Sequence, residues 1–179
     1  MAKKKSKSSK NMVNLLVGAI GLLFGVAALC MGFLSGATFN GGDYEMTTVF
    51  QMAFGWKEEV FGGTITLSGF NIWITLGLFF PVIGGLLLLT KGKFSSLIAL
   101  VLFVVAAVMF FTALSSFTNT LLTLEGAKLE DAIGATAAEA IRALIKNGNA
   151  SLGIGAILGG VFSVLGALVA AYKTFFLKK

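Results

Sequence analysis

The chain has 179 residues, of which 56% are apolar and only 12% are charged, whereas soluble globular domains carry about 25% charged residues. This composition excludes an ordinary water-soluble domain. The net charge is +6, and the chain contains no His and a single Cys. Without His, the commonest general base and most zinc sites are missing, and Cys30 has no partner for an internal disulfide.

Four long stretches contain no charged residue, and each supplies about 20 apolar residues, enough for a helix to cross a hydrocarbon layer about 30 Å thick. We predict membrane-spanning helices over residues 13–34, 70–90, 94–115 and 151–172. Four buried core helices are a poor alternative, because too little polar sequence remains to cover such a core. The predicted fold is a single all-α membrane domain, a four-helix bundle that carries a small extracellular cap.

The charges orient these spans. Ten basic residues, with no acid among them, flank the spans on one side: Lys3, Lys4, Lys5, Lys7, Lys10, Lys91, Lys93, Lys173, Lys178 and Lys179. All eight acids fall in the other two loops. By the positive-inside rule, the basic tail 1–11, the Lys91 turn and the C terminus are cytoplasmic in the plasma membrane, and loops 35–69 and 116–150 face outward.

The first span also has some features of a secretory signal peptide. However, its apolar run of 22 residues, Val13 to Leu34, exceeds the roughly 7–15 residues of a signal-peptide core. We therefore interpret it as a retained span, with Cys30 as an apolar filler.

The first outer loop alternates between bulky and small or polar residues. Phe50, Met52, Phe54 and Trp56 would share one face of an extended strand, and residues 61–68 alternate in the same way after a polar turn at 57–59. This pattern predicts an antiparallel hairpin. A lone hairpin is marginally stable in water, so its bulky face would pack either within the chain or on a partner protein.

The second outer loop changes to helical spacing. Apolar residues from Leu129 to Ile145 recur at intervals of three and four, with Glu139 and Arg142 on the polar flank. The pattern predicts an amphipathic helix that covers the hairpin or lies on the lipid interface. Asn149 begins a formal glycosylation sequon very close to the last span.

The predicted spans contain no Asp, Glu, Lys or Arg, whereas ion-coupled pumps and proton relays usually place ionisable groups there. This argues against an ion-coupled pump. An enzyme could still use the outer-loop carboxylates of Asp43, Glu45, Glu58 and Glu59, but acidic loop residues are usually solvated surface, so we expect no enzyme and no cofactor or metal site.

Gly21 with Gly25, and Gly155 with Gly159, have the spacing that allows helix backbones to approach closely, either within the chain or in self-association. Pro81 should kink the second span, as a packing feature or a hinge.

Four spans, cytoplasmic ends and a strand-rich first outer loop resemble the architecture of claudins and their four-span relatives. The resemblance is one of topology. The W-GLW-C-C pattern of that family is absent, since Trp56 stands alone in a loop without Cys. The resemblance therefore implies a four-span fold, and no family site residue is carried over.

These observations favour a non-enzymatic accessory or scaffold protein of the membrane, which would bind a membrane-protein partner through its cap and helix faces. No nucleic-acid partner is expected. The alternative is a homo-oligomeric channel or transporter subunit, with the small-residue faces of the first and last spans at subunit contacts.

Overall fold

The computed structural model describes residues 2–39, 44–60, 63–124 and 150–177. Most of these residues are helical. In chain order the elements are α1 (Ala2–Cys30), a 3-10 turn (Met31–Phe33), β1 (Ser35–Phe39), β2 (Tyr44–Thr48), α2 (Val49–Phe54), β3 (Trp56–Val60), β4 (Gly63–Ser68), α3 (Ile72–Leu89), α4 (Lys93–Phe111), α5 (Ala113–Leu124), β5 (Ala150–Leu152) and α6 (Ile154–Phe175).

Four helical segments are long and apolar enough to cross a membrane. They are Met12–Phe33, Ile72–Leu89, Lys93–Phe111 and Ile154–Phe175. The prediction of four helices with this length and composition is confirmed, with ends that differ by a few residues. Because α1 begins at Ala2, the predicted basic tail continues the helix of the first span.

The described residues belong to two compact units. The first is drawn from Met1–Cys30, Gly77–Val108 and Leu158–Lys179, and the second from Met31–Leu76 and Met109–Ile157. The first unit is helical, and its core cluster comes from α3, α4 and α6: Leu88, Ala99, Phe103, Ala167 and Ala170. The second unit contains all the described strands.

A three-stranded antiparallel sheet, in the order β2-β1-β5, lies in the second unit. It was not among the predicted elements. Its third strand comes from the far end of the chain, with Ala37 opposite Leu152 and Phe39 opposite Ala150. The Gly153 N–H donates to the Gly36 carbonyl at 2.9 Å, so the pairing runs directly into the start of α6.

The predicted strand that carries Phe50, Met52 and Phe54 is wrong, because these residues form the helix α2. An antiparallel two-stranded sheet does occupy the loop, but it pairs β3 with β4, with Trp56 opposite Ser68. The predicted turn at 57–59 lies inside β3. The alternation is misleading because positions 50 and 54 are also one helical turn apart.

The α2 helix has strong local end signals. The Thr48 side chain accepts from the Gln51 N–H at 3.2 Å, and the Gln51 side chain accepts from the Thr48 N–H at 2.9 Å. This reciprocal capping box fixes the first turn. The helix ends at Gly55, where φ is 110°, a backbone angle that residues with a Cβ rarely adopt.

The second outer loop departs from the prediction at its start. After Thr112, α5 continues the chain as a helix to Leu124, where a loop was expected from residue 116. The predicted amphipathic helix, including Leu129, Glu139, Arg142 and Ile145, and the Asn149 sequon lie outside the described residues.

Candidate interaction surface and helix contacts

The two faces of α2 differ sharply in burial. Val49, Met52 and Ala53 are fully buried in the second unit. Phe50 is half-buried, and Phe54 is 51% exposed. The expected common face of Phe50, Met52, Phe54 and Trp56 therefore does not exist, since Met52 points inward.

Phe50 and Phe54 belong to a row of four rings, which we call the aromatic row: Phe33, Phe50, Phe54 and Phe70. Successive ring centroids are 4.7, 6.0 and 6.3 Å apart, within the range of favourable aromatic pairs. Phe33 is 73% exposed and Phe70 is 57% exposed. Three of its four rings are exposed, so among the described residues the row forms a partly exposed apolar surface.

Glycine allows the row to approach the backbone. A Cβ on Gly32 would lie 2.7 Å from the Phe50 ring, too close for any side chain. Gly32 is in the 3-10 turn between α1 and β1, so the ring of Phe50 rests directly on the turn. The sequence analysis missed this contact, because the partners lie in separate segments.

The start of α3 is bonded to the end of α2. The Ala53 carbonyl accepts from the Asn71 N–H at 2.8 Å and from the Thr75 hydroxyl at 3.2 Å. Asn71 caps α3 through the Ile74 N–H at 3.2 Å and bonds to the Ser116 hydroxyl of α5 at 3.1 Å. These bonds fix the position of α2, and with it the rings of Phe50 and Phe54.

Two tryptophans belong to the same unit as the aromatic row. Trp56 is half-buried in β3, and its backbone N–H donates to the buried Ser68 hydroxyl at 3.1 Å. Trp73, in the first turn of α3, is 41% exposed, and its indole N–H donates to the Thr112 hydroxyl at 3.0 Å. Trp73 was not singled out from the sequence, although a Trp near a span end is a recognised signal of the membrane interface.

The glycines predicted for close helix packing make contacts within the chain. A Cβ on Gly21 would lie 2.3 Å from the Leu88 side chain, and one on Gly25 would lie 2.3 Å from the Pro81 carbonyl oxygen. These contacts join α1 to α3 in the first unit. Pro81 itself is buried in the interior of α3.

In α6, Gly155 makes a close contact with another segment, whereas the hydrogen bond of the Gly159 carbonyl lies within its own helix. In the second unit, a Cβ on Gly155 would lie 2.6 Å from the Met31 carbonyl oxygen. Gly159 is buried, and its carbonyl accepts from the Ser163 hydroxyl at 2.8 Å.

Lys173 is buried near the end of α6, although its charge predicts a place at the cytoplasmic surface. Its ammonium group donates to the backbone carbonyls of Leu88 and Thr90, at the end of α3. A helix C terminus carries a partial negative charge, so a cation is favourable there. Lys173 therefore joins the ends of α3 and α6.

The described residues hold no group of three or more metal-ligating side chains. Comparison of the chain with protein-family models, characterised proteins and solved structures finds no match.

Proposed function

We propose that the chain is a four-span plasma-membrane protein with both termini in the cytoplasm, acting as a non-enzymatic accessory or scaffold subunit. It would bind a membrane-protein partner through its extracellular cap and its helix faces. The cap corresponds to the strands and short helix of the second unit. The positive-inside distribution of lysines supports this orientation.

The observation that carries the proposal is the filled interior of the first unit. Phe103 is buried, and its ring occupies the space beside Gly84 of α3 and Gly166 of α6, where added Cβ atoms would lie at 3.1 and 2.2 Å. Neighbouring Leu88 and Ala170 are also fully buried. A packed apolar interior offers little room for a solute path, which favours a protein that acts through its outer surfaces.

The small sheet offers one such surface. Among the described strands, β2 and β5 each pair with β1 only, so each has an outer edge with backbone groups that can bond to a partner strand. Glu45 on β2 is exposed. We infer that a protein partner would contact the cap through these edges.

Mass measurement after purification in mild detergent tests the proposal. We expect the chain to retain a different membrane protein in a defined ratio. Met46→Pro, which removes a backbone donor from β2, tests the role of the β2 edge. The variant should keep the long helices folded but lose the retained protein. A closed ring of identical chains would contradict the accessory role and favour the channel or transporter subunit.

Cysteine labelling in intact cells tests the orientation. In a Cys30→Ala background, a cysteine at Ser6 or Lys178 should resist a membrane-impermeant maleimide, whereas one at Glu58 or Glu130 should react. The reason is that all eight acids and only four of the fourteen basic residues fall in the outer loops, as the positive-inside rule requires. Labelling of the first two positions alone would show that the orientation is the reverse of the one proposed.

A further inference from the structure

The aromatic row connects the ends of two of the long apolar helices. Phe33 is the last residue of the apolar segment Met12–Phe33, and Phe70 lies two residues before α3 begins at Ile72. One end of the row therefore adjoins the point where the first span ends, and the other adjoins the point where the second span begins. If the spans cross a bilayer, these two points lie at the same membrane surface.

The helix between those points has no charge. All six residues of α2, from Val49 to Phe54, are uncharged, and its inward face is anchored by fully buried Met52. Its ends are satisfied by the Thr48 capping box and the Gly55 N–H. A short helix with no charge and satisfied end groups can enter the boundary of a bilayer without leaving polar groups unpaired.

Trp73 gives a second, independent indication. Its ring is partly exposed, while its indole N–H is bonded to Thr112 at the end of α4. An amphipathic ring at the end of a span is typical of the interface between headgroups and acyl chains. Trp73 is only three residues from Phe70. The tryptophan and this end of the aromatic row would therefore lie at a similar depth relative to the membrane surface.

We propose that the aromatic row lies in the outer boundary of the bilayer, between headgroups and acyl chains, so that phospholipid covers Phe33, Phe50, Phe54 and Phe70. This inference rests on the proposed membrane placement of the spans. The short helix α2 is then an interfacial helix, and the cap rests on the membrane through it. The sheet edges, not the aromatic row, remain for a protein partner.

Tryptophan fluorescence in vesicles of brominated phosphatidylcholine tests the placement. In a background of Trp56→Phe and Trp73→Phe, a single tryptophan is introduced at Phe54, and separately at Phe33 as a second variant that stays informative if the first fails to fold. Each should lose more fluorescence to bromines near the headgroup end of the acyl chains than to bromines near the methyl end. Iodide in the buffer should have little effect.

Two controls in the same background separate the possible failures. Val101→Trp, at an exposed position in the middle of α4, should be quenched most by the deep bromines. Glu45→Trp, on β2, should respond to iodide and not to bromine.

Each other outcome overturns the inference in a distinct way. If the Phe54 and Phe33 variants behave like Glu45→Trp while Val101→Trp is quenched by bromine, the spans are in the bilayer and the aromatic row is in water. If neither bromine nor iodide reaches the two variants, a protein covers the row. If Val101→Trp also escapes bromine, the membrane placement itself is wrong.

Discussion

Gly25→Ala should destabilise the protein by about 3 kcal/mol or more, at the upper end of the cost of overpacking. The added Cβ would lie 2.3 Å from the Pro81 carbonyl oxygen and 2.8 Å from its carbon. Both atoms belong to the backbone of α3, so no side-chain rotation relieves the contact and the two helices must separate. We expect a large fall in the amount of folded protein in the membrane and a lower melting temperature in detergent.

Gly92→Ala, at a position outside the helices and just before α4, is a control for the steric effect of the added Cβ. A Cβ at Gly92 would have its nearest neighbour, the Ser95 Cβ, at 3.5 Å, which is an ordinary contact, so we expect a change within about 0.5 kcal/mol. Helix propensity alone would make Gly25→Ala about 1 kcal/mol more stable, because alanine is favoured over glycine inside a helix. A loss of stability would therefore come from the contact with Pro81. A more stable Gly25→Ala variant would show that α1 and α3 do not touch there.

Phe103→Ala should have the second largest effect, at the lower end of the roughly 3–5 kcal/mol found for buried Phe→Ala changes. The ring is 1% exposed or less and lies beside Gly84 and Gly166, neither of which has a side chain that could fill the space. The lower end applies under the proposed membrane placement. When the helices separate in lipid, the ring moves from one apolar environment to another, so the loss is mainly one of packing. The fall in the temperature at which monodisperse protein is lost, compared with the unaltered chain, checks the direction and rank of this effect.

Val104→Ala is the control for that variant. Val104 follows Phe103 on α4 but is exposed, and its truncation should cost less than about 0.5 kcal/mol. Equal losses for the two variants would contradict a packed interior in the first unit.

The four long apolar helices could be predicted from the sequence because their signal is local and long. An uninterrupted apolar run of about 20 residues has few structural alternatives, and the structure contains a helix at each predicted run. The glycine contacts of Gly25 and Gly155 were anticipated as close packing for the same reason, since their spacing is readable on a helix. The sequence does not reveal which backbone each glycine contacts, because the contacted residues, Pro81 and Met31, lie on other segments.

The cap was harder to predict because its signals conflict. The spacing of Phe50 and Phe54 fits both a strand and a helix, and only the end signals, Thr48 with Gln51 and the glycine at 55, favour the helix. The sequence Asn40-Gly41-Gly42-Asp43 is a turn signal that indicates the pairing of β1 with β2. The third strand gives no such indication, because β5 pairs across more than a hundred residues.

Lys173 illustrates a different limit. Charge patterning treats the lysines near the ends of the apolar helices as a group and assigns each of them to the solvent. The acceptors of Lys173 are backbone carbonyls of Leu88 and Thr90, and no residue type in the sequence reveals a carbonyl at a helix end. Its burial therefore had to come from the structure.

The bond between Lys173 and Leu88 also has a consequence for biosynthesis. The two residues are 85 positions apart, so at about 5–20 residues per second the ribosome adds the lysine on the order of 10 s after the carbonyl it will bind. Over that interval the end of α3 lacks its cation, and for most of it β1 also lacks β5. A chain that terminates before residue 150 therefore lacks part of both units, since the first unit needs Leu158–Lys179 and the second needs the strand that pairs with β1.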